Sequence, residues 1–231
     1  MNIESIDWSA AEDSLWQNGF ASLGKILDDG VCDELKALYP DDTRFRSRIN
    51  MERYRFGRGE YKYFSYPLPD LITAVRAGLY TPLAPVANRW MAALKLPCAY
   101  PETHEKFLDT CRSKGQTRPT PLLLKYGPGD YNCLHQDVYG DVVFPFQVIF
   151  SLSEPGKDFT GGELLLVEQR PRAQSVGRVL LPAKGEAIVI TTRWRAAEGA
   201  RGFYRTGIKH GVSVVTSGTR FTLGVIFHDA V

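Results

Sequence analysis

The spacing of apolar residues changes near the middle of the chain. In the first half they recur at three- and four-residue intervals, the period of helices with one buried face. Ser9-Ala-Ala-Glu12 predicts a capping-box start for a helix running to about Asn18, before Gly19. A short apolar segment, Phe20 to Leu27, leads to a second helix opened by Asp29-Gly30, with Val31, Leu35 and Leu38 on one face and a stop at Pro40. After Pro82, the residues Leu83, Val86, Ala87, Trp90, Met91 and Leu94 form a wide apolar stripe that reads as core. Pro101, at a first-turn position, predicts one more helix through about Ser113.

From Thr120 onward, β-branched and apolar runs alternate with Gly, Pro and Asp clusters. Strands are predicted near 121–126, 131–137, 143–152, 163–168, 176–181, 186–191, 203–216 with a break, and 219–228. So many short strands without helices between them predict a jelly-roll, or double-stranded β-helix, core in an α+β fold. No Gly/Ser-rich linker separates the halves, so residues 1–231 are expected to form one domain. Residues 1–119 would be a mainly helical buttress and possible substrate lid, and residues 120–231 the jelly roll.

Composition narrows the function classes. With 44% hydrophobic and 23% charged residues the chain is an ordinary globular one, not a disordered tail. A net charge of +2 brings in neither nucleic acid nor anionic membrane by itself, so any basic surface must be local. The cysteines at 32, 98, 111 and 133 form no C-x-x-C pair, which excludes a zinc ribbon and predicts reduced thiols. Glu4 and Asp7 stand where a signal peptide carries cations, and no apolar run reaches the length of a membrane span. A cytoplasmic protein without membrane contact is expected.

His135-Gln-Asp137 carries the first chemistry. Residues two apart on a strand share a face, so the imidazole and the carboxylate converge on one ion. Alone the pattern is common by chance; His210, in a strand-like stretch downstream, sharpens it. Two His and one carboxylate are the facial triad that holds ferrous iron and leaves positions open for cosubstrate and dioxygen. A hairpin turning near Ser217 would bring Val214 opposite Arg220 and put Arg220 and Thr222 on one face, a bidentate grip and a hydroxyl for a distal carboxylate. His104, beside Glu102 and Glu105, is expected at the surface of a helix, and His228 is expected to be structural. Cys133 would share a face with His135 as a small apolar filler.

In order, Tyr126-Gly-Pro-Gly129, the H-x-D at 135–137, Gly161-Gly162-Glu-Leu, Lys184-Gly185-Glu-Ala-Ile-Val, His210-x-Val212 and Arg220-x-Thr222 resemble the Fe(II)/2-oxoglutarate-dependent dioxygenases, particularly their prolyl-4-hydroxylase-like branch. The resemblance covers about residues 120–230. It implies that His135, Asp137 and His210 bind Fe(II), that Arg220 and Thr222 bind the 5-carboxylate of 2-oxoglutarate, and that Tyr126 hydrogen-bonds the same cosubstrate. It further implies oxidation of a C–H bond by O2 with conversion of 2-oxoglutarate to succinate, assisted by ascorbate.

The compositional anomaly is Arg44 to Tyr66. Arg44, Arg46, Arg48, Arg53, Arg55, Arg58 and Lys62 outnumber Glu52 and Glu60 seven to two, and seven aromatic residues lie among them. Cations for phosphates with rings for stacking suit single-stranded nucleic acid or a flipped base, while the alternation in Tyr61-Lys-Tyr-Phe-Ser-Tyr66 equally suits an edge strand with one wet face. Leu124-Lys-Tyr-Gly-Pro-Gly also looks like a stretch of the nucleic-acid dealkylating dioxygenases. Leu124 replaces their Asn, however, and one Arg ten residues after His210 replaces their more distant arginine pair. The whole chain resembles a bacterial oxygenase family suggested to act on alkylated DNA. Three readings stay open: oxidation of an alkylated nucleic-acid base, hydroxylation of a peptide or small molecule, and a metal-binding jelly roll without turnover.

Overall fold

The computed structural model describes residues 2–231. The first half holds α1 (Trp8–Asn18), β1 (Phe20–Lys25), α2 (Asp29–Ala37), β2 (Phe45–Asn50), β3 (Gly57–Arg58), β4 (Glu60–Phe64), α3 (Asp70–Ala93) and α4 (His104–Ser113). The second half is β5 (Leu122–Tyr126), β6 (Tyr131–His135), β7 (Phe146–Ser151), β8 (Phe159–Gly161), β9 (Leu164–Gln169), β10 (Val176–Leu180), β11 (Glu186–Thr191), β12 (Trp194–Gly199), β13 (Gly202–Val212), β14 (Val215–Gly218) and β15 (Arg220–Ile226).

The strands form a major sheet, ordered β1-β11-β7-β15-β5-β4-β2, and a minor sheet, ordered β10-β9-β13-β6-β3 with β12 also on β13. A small pair, β14-β8, lies outside both. Every ladder between these strands is antiparallel. This is the expected α+β jelly roll. The major sheet is two-sided, and strand alternation sorts its residues. Phe146, Val148, Phe150, Leu223, Val225 and Phe64 belong to the main core with the α3 stripe, where Trp90 meets Phe146 at 4.7 Å between ring centroids. Their neighbours Gln147, Ile149, Thr222, Gly224, Tyr61 and Tyr63 line a cavity on the opposite face. The helices thus buttress one side of the sheet, and the site occupies the other.

Several local readings change. The first helix starts at Trp8 and is capped by Asp7, whose Oδ1 accepts from the Ala10 amide at 3.0 Å, so Ser9 and Glu12 form no capping box. The helix expected after Pro82 begins at Asp70 and carries Pro82 and Pro85 inside it, because burial of Ile72, Val75 and Leu79 extends the apolar stripe upstream and outweighs the lost backbone bonds. Its buried Arg76 donates to the carbonyls of Ile226 and Phe227 and to Asp229 Oδ1 at 2.7 Å, fastening helix to sheet. The last helix starts at His104, with Thr103 as its cap, and leaves Pro101 outside. The first 119 residues also contribute four strands, β1 to β4, beside their helices.

The expected β13–β15 hairpin does not form. After Val212 the chain pairs through β14 with β8, and β15 then crosses to the major sheet between β5 and β7. Arg220 and Thr222 therefore come from the major sheet, His135 and His210 from the minor one.

Candidate active site

Neighbouring strands of the minor sheet place the two imidazoles. His210 in β13 is the direct partner of His135 in β6, and the ring centroids lie 4.2 Å apart. Asp137 sits two residues beyond the end of β6, where its amide bonds the Thr192 carbonyl at 3.2 Å. Loop geometry, rather than the strand period expected from the sequence, turns its carboxylate inward. His210 Nε2 lies 3.1 Å from Asp137 Oδ2, and His135 Nε2 lies 3.5 Å from Oδ1. One ligand atom from each of the three residues falls within 4.8 Å of the others.

The surrounding contacts orient these groups for a metal. His135 Nδ1 is 2.8 Å from the Cys133 carbonyl; carrying the proton there leaves the Nε2 lone pair free. Asp137 accepts from the Tyr139 hydroxyl at 2.7 Å on Oδ1 and from Gln147 Nε2 at 2.9 Å on Oδ2. Burial alone would raise the Asp137 pKa, but the His135 and His210 imidazoles hold it well below the ordinary carboxylate range. Burial, and then the neighbouring His135, push His210 down. Tyr139 hydrogen-bonds in turn with Tyr63 at 3.1 Å.

Arg220 and Thr222 line the same cavity of about 350 Å³ as the three ligands. Both side chains are buried, yet among the described residues Arg220 Nη1 and Thr222 Oγ1 have no hydrogen-bond partner and no carboxylate pairs with the guanidinium. Two donors left buried and unmet are costly unless a ligand supplies acceptors. Tyr126 faces Arg220 across the β5–β15 ladder, its ring 5.4 Å from the guanidinium carbon, and Asn132 Nδ2 donates to its hydroxyl at 3.4 Å. Gly162, at φ +66°, makes room behind the arginine, since a Cβ there would lie 3.0 Å from Arg220 Cδ. The donor set thus fits both a divalent cation at one place and a dianionic keto acid reaching from it to Arg220.

The other candidates separate clearly. His104 is buried, not superficial: its Nε2 lies 2.9 Å from the Phe227 carbonyl, because α4 turns that face onto the core. His228 is buried and structural, its Nδ1 accepting from the Phe144 amide at 3.3 Å. Cys133 is exposed and lines the cavity mouth, where a register shift between β6 and β13 interrupts the regular alternation.

The basic segment resolves into two parts. β4 is an internal strand between β5 and β2, with Lys62 only 4% exposed beneath Tyr39 and bonded to Asp42, so Tyr61 to Phe64 is not an edge strand. Ion pairs occupy Arg44 with Asp41, Arg48 with Glu60, and Arg58 with Asp130. Between β2 and β4, residues 51–59 leave the major sheet, pair with β6 through Gly57 and Arg58, and return, forming an arch closed by Met51 N to Gly59 O at 3.0 Å. On this arch Arg53 and Arg55 have no acidic partner among the described residues, and Tyr54 and Phe56, each 49% exposed, stack with centroids 5.7 Å apart. Arg55 and Phe56 stand in the cavity wall.

From sequence alone Tyr139, Gln147 and Asn132 received no role, and Tyr63 entered only as one ring of the basic strip. Only Gln147 carried a visible signal, a lone amide inside the apolar run Phe146-Gln-Val-Ile-Phe150.

A family of oxygenases described as catalysing oxidative methylation of damaged DNA matches residues 59–230. Uncharacterized proteins from two strains of Mycobacterium tuberculosis are 47% identical over 167 residues, 72% of either chain. Among solved structures, a Pseudomonas putida prolyl-4-hydroxylase aligns at a TM-score of 0.58 with 15% identity, covering 96% of this chain and 100% of that one. A 2-oxoglutarate–Fe(II) family oxidoreductase from Burkholderia pseudomallei aligns at 0.52 with 15% identity, covering 98% and 93%. These two share the fold.

Proposed function

Since the chain belongs to the family of oxygenases described as acting on damaged DNA, we propose that it is an Fe(II)- and 2-oxoglutarate-dependent dioxygenase that oxidises an alkyl group on a nucleic-acid base. Family membership makes the protein an oxygenase and sets aside an inert metal-binding jelly roll. The observation that carries the cosubstrate reading is the buried, unpartnered pair Arg220 and Thr222, in one cavity with His135, Asp137 and His210.

In this reading His135 Nε2, His210 Nε2 and one Asp137 oxygen would hold the iron. Arg220 and Thr222 take the distal carboxylate of 2-oxoglutarate, with Tyr126 packed behind. Iron with 2-oxoglutarate and O2 supplies the oxidant for a C–H bond, and the keto acid leaves as succinate and CO2. Tyr139 and Gln147 keep the Asp137 carboxylate oriented, and the apolar walls exclude bulk water. Hydroxylation of an N-methyl carbon yields a hemiaminal; C–N cleavage then releases formaldehyde and returns the proton to nitrogen.

The arch supports nucleic acid as substrate. Its unpaired Arg53 and Arg55 meet phosphates, and the exposed Tyr54–Phe56 stack offers a platform for a base beside the cavity mouth. No helix among the described residues is long and apolar enough to cross a membrane. The four free cysteines and a ferrous centre suit a reducing cytoplasm. The deciding experiment measures succinate from protein loaded with Fe(II), 2-oxoglutarate and ascorbate, offering methylated single-stranded oligonucleotides, proline-containing peptides and small amines in parallel. Methylated oligonucleotides should stimulate succinate release and yield formaldehyde. Stimulation by peptides or amines alone would replace this reading with a hydroxylase of those substrates.

A further inference from the structure

The electrostatic lining of the cavity selects among alkylated bases. Alkylation of a ring nitrogen that has no proton to lose fixes a positive charge on the base, whereas alkylation of an exocyclic amine or oxygen leaves it neutral. A cationic base buried in a protein needs a carboxylate or a free aromatic face. Among the described residues, Asp137 is the only acid in the cavity wall, and both of its oxygens already accept hydrogen bonds. Its remaining capacity faces the two imidazoles, in the position of a metal ligand. The other two charged wall residues, Arg55 and Arg220, are both cations.

The tyrosine faces of the wall are committed as well, and the exposed wall residue Phe56 stacks on Tyr54, over whose ring the Arg53 guanidinium carbon lies at 5.8 Å. The Arg46 guanidinium sits 4.5 Å from the Tyr63 ring centre, and Tyr61 meets Tyr63 edge to face at 5.4 Å. Arg220 lies over Tyr126. The rest of the wall is largely apolar, including Leu122, Leu124, Ile149 and Leu164. A fixed positive charge entering here meets cations already on the rings and no free carboxylate, while a neutral methylated base loses nothing electrostatically.

We infer that the cavity takes an uncharged alkylated base, such as one methylated on an exocyclic nitrogen or oxygen, and rejects bases quaternised on the ring. The inference rests on the nucleic-acid reading above and adds the charge class of its substrate.

Two single-stranded oligonucleotides identical except at one central adenine test it, one methylated on the exocyclic amine and the other on ring N1. Their affinities are measured without oxygen on the protein loaded with Fe(II) and 2-oxoglutarate, and succinate is then measured in air. The neutral oligonucleotide should bind at least tenfold tighter than the cationic one and drive more succinate release. Leu124→Glu, which adds a carboxylate to the half-buried part of the wall, should shrink or reverse that ratio in a variant whose melting curve shows it folded. Equal or tighter binding of the cationic oligonucleotide by the wild type overturns the inference while the nucleic-acid reading stands. A folded Leu124→Glu protein with an unchanged ratio overturns it too. If neither methylated strand outperforms its unmethylated control, and peptides stimulate succinate instead, the nucleic-acid reading falls and the inference with it.

Discussion

Replacing Arg220 by Met should move two measurable quantities in opposite directions. Arg220 is 3% exposed, its Nη1 has no hydrogen-bond partner, and burial pushes its pKa down against the weaker pull of Tyr126 and Glu163, so without a ligand it is a buried charge with no ion pair among the described residues. Met has similar length and no polar atom. Removing the unmet donor should stabilise the ligand-free protein by about 1 to 3 kcal/mol, or roughly 2 to 12 °C in Tm for a chain of this size. The same substitution removes the bidentate partner of a carboxylate, a loss of about 2 to 5 kcal/mol, which weakens 2-oxoglutarate binding by about 30- to 5,000-fold. At a ligand concentration of about 100 times the wild-type Kd, wild type gains about 2.7 kcal/mol, whereas the variant should gain under about 1. Thermal melts with and without 2-oxoglutarate, in the presence of Mn(II) to prevent turnover, read both effects. A variant that melts lower than wild type when ligand-free, yet keeps the full 2-oxoglutarate shift, would refute the reasoning, since Arg220 would then be satisfied by the fold and idle toward ligand.

Ala at His135, Asp137 or His210 should abolish tight Mn(II) binding measured by calorimetry, while His104→Ala and His228→Ala should retain it and lose stability; retained affinity in Asp137→Ala would break the triad. Tyr139→Phe removes one donor from Asp137 and should weaken metal affinity about 10- to 100-fold, and an unchanged binding isotherm would show that Gln147 suffices. His104, pushed down to about 3 by burial and by nearby Arg76, folds as the neutral imidazole. Its contribution is present above the unfolded-state pKa of about 6.5 and is lost as pH falls from there toward 3. His104→Gln should therefore lessen the acid dependence of urea stability by up to about 1.4 kcal/mol per pH unit, and parallel wild-type and variant curves would exclude it. Gly57→Val places a Cβ 2.3 Å from the Tyr131 carbonyl at φ +139°, so it should unseat the arch and reduce oligonucleotide affinity while Mn(II) binding survives; undiminished oligonucleotide binding would detach the arch from substrate.

The candidate ligands were legible because their chemistry is written in residue type: two His and one Asp at matching strand-like positions leave few other uses. The jelly roll was legible from the turn spacing after Thr120. What escaped detection depends on long-range pairing. Arg220 was singled out but assigned to a hairpin with His210, because local sequence favours the nearest partner; the ladder with Tyr126, far earlier in the chain, decides otherwise. Tyr61 and Lys62 looked alternately wet and dry, yet both are sheltered, one by the cavity and the other by Tyr39 and Asp42, since β2 takes the edge position. The surface reading of His104 failed for a related reason. Its flanking acids describe one side of α4, while Phe107 and Cys111 on the same helix set which side is buried. The net charge counted along Arg44 to Tyr66 overstated the free charge, because Asp41, Asp42 and Asp130 lie outside that window and neutralise it in space.

The arch between β2 and β4 separates two kinds of change. Its anchors are backbone bonds, Met51 to Gly59 at its base and Cys133 N to Phe56 O at its crest, so the side chains of Arg53, Tyr54 and Arg55 are not needed to hold it. They can be exchanged without disturbing the three ligand residues, which stand on β6, its following loop and β13. If the proposed role of the arch holds, a lineage or an engineer could redirect which polymer, or which stretch of it, reaches the cavity by rewriting three adjacent codons.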